Sequence, residues 1–291
     1  MNMHPKAAIL LAASTLLACA IGARAEDDAF TKAAKPIVQT AVEQFKTDLD
    51  AALDTYEKGV RGTLMKQFPN DPRPVAMLLE IALNRNVSDN KLAAVPDKLD
   101  KLRTLLTEIT QSAVAAQSTK TLARTQLARL DRLGKPLTLK FDSFETKDQG
   151  ARTIDVAKLK GQVVLINFWA TWSPPCLAEL DNLKKIYQEK HNPAGDANPQ
   201  FEIVGISLDR NVNRLERFLK ELQIQWPQHC DSRGMENEFA VEYAIHTVPT
   251  MWLIDKQGNL RDLNARINLE KKIQLLLDEK PVSEPEPDNA K

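Results

Sequence analysis

The 291-residue chain has little cysteine, no charge imbalance and no long apolar span. It holds three cysteines, and its 39 basic residues balance 39 acidic ones. A neutral balance gives no electrostatic pull toward nucleic acid or an anionic surface. The sequence also lacks a glycine-rich phosphate loop and a stripe of basic and aromatic residues, so neither nucleotide nor nucleic acid is implied as a partner. Ala7 to Gly22 is apolar apart from Ser14 and Thr15, short of the ~20 residues that a membrane span needs.

What is present at the start reads as an export signal. Lys6 gives a basic start, and Ala23-Arg24-Ala25 makes a small-x-small cleavage site before Glu26-Asp27-Asp28. Residues 1–25 are therefore expected to be a signal peptide that directs the protein to the periplasm or cell envelope. Leu16-Leu17-Ala18-Cys19 offers a second reading, a lipidated Cys19, and only then would a membrane be a partner. Cleavage after Ala25 leaves Cys176 and Cys230, too few for a disulfide scaffold in a chain this size. Export would place them where disulfides persist.

Two regions of different periodicity follow. Phe30, Ala34, Ile37, Ala41, Phe45, Leu49, Leu53, Tyr56 and Val60 recur at helical steps. Pro36 should mark a first turn or a break in that stripe. Further stripes run over Val75 to Leu83, over Leu99, Leu102, Leu106 and Ile109, and over Ala123, Leu127 and Leu130. The last meets Gly134 and Pro136, a helix-stop signature. Residues 26–135 are thus expected to form an all-α domain.

Beyond it the pattern switches to alternating strands and helices. Leu137 to Phe141 alternates, and Val163 to Phe168 and Phe201 to Leu208 are apolar strands. Ile224 to His229 is a possible short strand, and Met235 to Ala244 reads as a helix. Thr250 to Asp255 and Leu260 to Leu263 flank a Lys256-Gln257-Gly258-Asn259 turn. Apolar strands joined by helices imply an α/β fold with a mainly parallel sheet covered on both faces, closed by an antiparallel hairpin. This domain spans 137–280, and the tail at 281–291 should be disordered.

Three segments carry a family resemblance: Gly161 to Trp172 ending in Ser173-Pro174-Pro175-Cys176, Phe201 to Asp209, and Thr247-Val248-Pro249 to Asp255. Together they resemble the TlpA/ResA-like branch of the thioredoxin superfamily. The resemblance implies a thioredoxin-like fold and thiol–disulfide redox work on client protein thiols, with a reductant the sequence does not name and without a cofactor. It implies a cis peptide before Pro249. It further implies that Trp172, Pro174, Pro175, Val248 and Pro249 meet an extended substrate, and that Glu179 handles protons for the thiol.

The chain departs from that family at Ser173, which stands where the attacking cysteine belongs. A hydroxyl does not ionise usefully and forms no disulfide, so the dithiol cycle is excluded. Ser173 suits a helix cap, with Pro174 at the first helical position. Three readings follow. Cys176 works in an altered or monothiol manner, with Cys230 as a new partner if their Cα atoms lie within ~7 Å. Or the domain is a non-catalytic module that binds an extended peptide. Or Ser173 and Cys176 form a peroxiredoxin-like peroxidase, although Trp169 stands where that motif has proline. A metal site from Cys176, His229, Cys230 and His246 lacks compact ligand spacing.

Overall fold

Phe30, Ala34, Val38, Ala41 and Phe45 fall on one side of a helix, α1 (Ala29–Phe45), and all are buried. The computed structural model describes residues 28–45, 47–88, 96–143, 152–191 and 199–279. The expected signal peptide, Cys19 and the 281–291 tail lie outside them. The chain divides into two compact units, Met1–Asp131 and Arg132–Lys291.

The first unit is helical. Asp28 starts α1 by accepting the Thr31 amide at 2.7 Å. The long stripe seen in the sequence is two helices, because Asp48 caps a second one, α2 (Leu49–Gly59), through the Ala51 amide. That helix runs on through a π-helical turn (Val60–Leu64) and a last α turn (Met65–Gln67). Then come α3 (Arg73–Ser88), α4 (Pro96–Gln111) and α5 (Gln117–Leu130). Pro36 corrects its expectation, since it sits well inside α1. It is tolerated because the carbonyl it leaves without a donor belongs to Lys32, on the exposed side. Arg61 grips Glu108 with two 2.7 Å bonds and ties the end of α2 to α4.

The second unit is a thioredoxin-like α/β fold. A small antiparallel ribbon pairs β1 (Lys140–Asp142) with β2 (Thr153–Asp155). The main elements are β3 (Val163–Trp169), α6 (Pro174–Lys190), β4 (Phe201–Ser207), α7 (Val212–Glu221), β5 (Gln228–His229), α8 (Glu238–Glu242), β6 (Thr250–Ile254), β7 (Leu260–Asp262) and α9 (Leu269–Asp278). The sheet order is β5-β4-β3-β6-β7. It is mixed: β3, β4 and β5 run parallel, and the closing hairpin makes β6 and β7 antiparallel. Every residue of β3 and β4 is buried, as apolar strands covered on both faces should be. Leu180, Leu183 and Ile186 of α6, Leu215 and Leu219 of α7, and Ile273 of α9 pack into one core with Trp169 and Phe201.

Two expected elements come out shorter. The strand proposed over Ile224 to His229 reduces to Gln228–His229. The Ile224 amide still closes the end of α7 on the Leu219 carbonyl, and Pro227 has no N–H for the ladder. The helix proposed over Met235 to Ala244 is broken at Asn237. A 3-10 turn (Gly234–Glu236) precedes it, and the Asn237 side chain accepts from the Phe239 and Ala240 amides to begin α8.

This topology gathers four chain ends at one sheet edge. Trp169 pairs with Ser207, Ile206 with His229, and Phe168 with Thr250. The carboxyl ends of β3, β4 and β5 and the amino end of β6 therefore face the same way, where sites on such sheets lie.

Candidate functional site

The turn after β3 is held by its own backbone. The Ser173 amide donates to the Ala170 carbonyl, and the Cys176 amide donates to the Ser173 carbonyl at 2.9 Å. Ser173 occupies the cap position of α6, with Pro174 and Pro175 as its first helical residues. Its side chain makes no capping bond, which corrects the expectation. A capping oxygen seeks the second or third helical N–H. Pro175 has none, and that of Cys176 is already engaged. The Ser173 side chain instead favours the Cys176 thiolate.

Cys176 is 2% exposed. Burial pushes its thiol above the ordinary range. The hydrogen bonds to Ser173 and Ala170 and the charge of Arg266 oppose that, while the Asp209 carboxylate adds to it. The net direction is upward, so Cys176 is a protected thiol at neutral pH, less ready to attack than an exposed one at a helix start.

Glu179 lies one turn further along α6. Its carboxylate accepts a 2.8 Å bond from Arg266 Nε, from the loop between β7 and α9. The acidic residue three positions past the thiol therefore comes with its own cation. Trp172 is half exposed, and its indole N–H donates to the Leu208 carbonyl. Pro174 and Pro175 are exposed as well. The Val248–Pro249 peptide is cis. It precedes β6 at the same edge, and Val248 packs on the core cluster that contains Cys176.

Cys230 follows β5 and is half-buried, with its Sγ 3.5 Å from the Asp209 carbonyl. Both cysteines are free thiols. Burial also pushes Cys230 up, and Asp209 and Asp231 add to that, against bonds from Ser232 and Ser207. His229 is enclosed by Phe141 and Phe239, with ring centroids at 5.0 and 4.8 Å, whereas His246 is exposed. Among the described residues no three His, Cys, Asp or Glu side chains gather as a metal site.

Three further residues join the site in the structure. Asp209 is buried beneath the turn, Arg266 reaches Glu179, and Gln228 accepts the Trp169 indole N–H at 2.9 Å. Asp209 had a sequence signal, as the last residue of the second family segment. Arg266 and Gln228 had none, because each acts across the sheet from a remote stretch of chain.

The sheet order, the helix-start cysteine and the cis proline define a thioredoxin-like domain. Residues 138–263 match the AhpC/TSA family model. The thiol-disulfide oxidoreductase ResA of Oceanobacillus iheyensis is 30% identical over 111 residues, which is 38% of this chain and 53% of that protein. Sporulation thiol-disulfide oxidoreductase A of Bacillus subtilis is 32% identical over 106 residues, 35% of this chain and 58% of that one. A solved thiol-disulfide oxidoreductase from Bacteroides fragilis is 30% identical, with 48% of this chain and 98% of that chain covered and a TM-score of 0.37. The C-terminal unit is a TlpA/ResA-like thioredoxin-fold domain. The chain spans a little over half the length of these ResA and sporulation relatives.

Proposed function

We propose that the protein performs thiol–disulfide redox work in the cell envelope through Cys176, in an altered form set by Ser173. One observation carries this reading. A buried cysteine is retained in the first turn of α6, where the Ser173 side chain and the Arg266 charge both favour its thiolate, in a domain similar to ResA. In the proposed step the Cys176 thiolate attacks one sulfur of a client disulfide. That S–S bond breaks, a Cys176–client mixed disulfide forms, and the other client sulfur leaves and takes a proton. A second thiol, either Cys230 or a small-molecule thiol, then displaces the client. If Cys230 acts, the two cysteines end as a disulfide and the client has gained two electrons. Trp172, Pro174, Pro175, Val248 and Pro249 would present the client chain, and Glu179 with Arg266 would manage the proton. Export rests on the sequence of residues 1–25. No helix among the described residues is long and apolar enough to cross a membrane.

Burial of Cys176 favours a second reading, a peptide-binding module without turnover. The peroxidase reading has the spacing of Ser173 and Cys176 in its favour and Trp169 against it. Ser173→Cys separates the first two readings. If the remaining site is competent, the variant gains disulfide reductase activity on a protein substrate such as insulin. A folded variant with no activity would support the binding module.

A further inference from the structure

Asp209 closes the carboxyl end of β4 and is 2% exposed. One carboxylate oxygen accepts the Thr171 hydroxyl at 2.6 Å, and the other accepts the Thr171 amide at 2.9 Å and the Ser207 hydroxyl at 2.8 Å. These partners are neutral donors, and they are enough to hold a buried carboxylate. Thr171 belongs to the turn that ends in Ser173 and Cys176. On its other side, the Asp209 main-chain carbonyl receives the Cys230 thiol at 3.5 Å. The same residue therefore touches the turn that carries one cysteine and the other cysteine itself.

We propose that Asp209 is a positioning residue that joins the two thiols into one site: its carboxylate fixes the Thr171 end of the Cys176 turn, and its carbonyl holds the Cys230 thiol. The inference rests on the reading of Cys176 as a thiol centre and adds Asp209 to it. A single buried charge then acts on both cysteines in the same direction, disfavouring both thiolates. Arg266 also acts on Cys176, favouring its thiolate, and Asp231 also acts on Cys230, disfavouring its thiolate.

The test is the pH profile of alkylation of each cysteine in the full-length protein, read by mass spectrometry. Asp209→Asn keeps the size and one acceptor oxygen but removes the charge. Both midpoints should move down. Asp231→Asn should move Cys230 alone. A folded Asp209→Asn protein in which neither midpoint moves, or only one, overturns the inference. A second measurement needs no variant. The Asp209 carboxyl carbon, followed by NMR in the unaltered protein, should show an inflection at the pH where the thiols ionise, and a flat trace there also overturns the inference. Neither readout requires Cys176 to be oxidised. A protein whose thiols shift together but never oxidise would keep this inference and lose the redox reading.

Discussion

At the scale of single residues, the proposed chemistry turns on Ser173. Two prolines at the start of α6 and the bond between the Cys176 amide and the Ser173 carbonyl leave the Ser173 hydroxyl free of capping duty, and it favours the Cys176 thiolate. The exchange of cysteine for serine was legible in the sequence. The use of the hydroxyl was not, because it follows from which N–H groups the turn leaves open. Arg266 was equally invisible, since it reaches Glu179 from 87 residues away. Its positive charge favours the Cys176 thiolate. Arg266→Gln should therefore slow iodoacetamide alkylation of Cys176 at neutral pH and move the midpoint of the rate profile upward. A midpoint that stays in place would remove Arg266 from the site.

At the scale of elements, strand β3 and its neighbours were read well because burial on both faces writes itself as an unbroken apolar run. The weakly patterned elements were not. β5 is short because its preceding residues finish a helix, and the α8 region is split by an asparagine that caps rather than continues. The stripe over Phe30 to Val60 hid a helix boundary, since Asp48 breaks the helix without breaking the period. Asp48→Ala should cost about 0.5–2 kcal/mol in urea unfolding, the usual loss for such a cap. Gly205 on β4 shows a tighter constraint. A Cβ there would meet the Gln228 Oε1 at 2.1 Å, the atom that accepts the Trp169 indole N–H. Gly205→Ala should displace that amide and leave a buried donor unpaired, a loss of about 1–3 kcal/mol. Unchanged stability would mean that the Trp169–Gln228 bond contributes nothing.

At the scale of the whole molecule, the sequence switches from helical to alternating periodicity near Leu137, and the chain divides between Asp131 and Arg132. The helical unit carried no motif, so its role stayed out of reach of the sequence. One whole-molecule property follows from buried histidine. Burial holds His229 below the ordinary 6.5, so between its folded value and 6.5 the unfolded chain binds more protons. Stability then rises with pH through that window and is lost as pH falls below about 6.5. The urea midpoint should drop from about pH 7.5 to about pH 5.5, and His229→Gln should flatten that drop. An equal drop in the variant would assign it to other groups.

The central claim is that Cys176 exchanges electrons despite Ser173. Its most direct test is thiol trapping of the purified mature protein after exposure to oxidised glutathione or to hydrogen peroxide. Unfolding and alkylation then show which cysteines were still reduced. The account predicts that Cys176 becomes resistant to alkylation, as a mixed disulfide or paired with Cys230, and that a reductant restores it. A Cys176 that stays fully alkylatable under both oxidants would contradict the claim and leave the binding module standing.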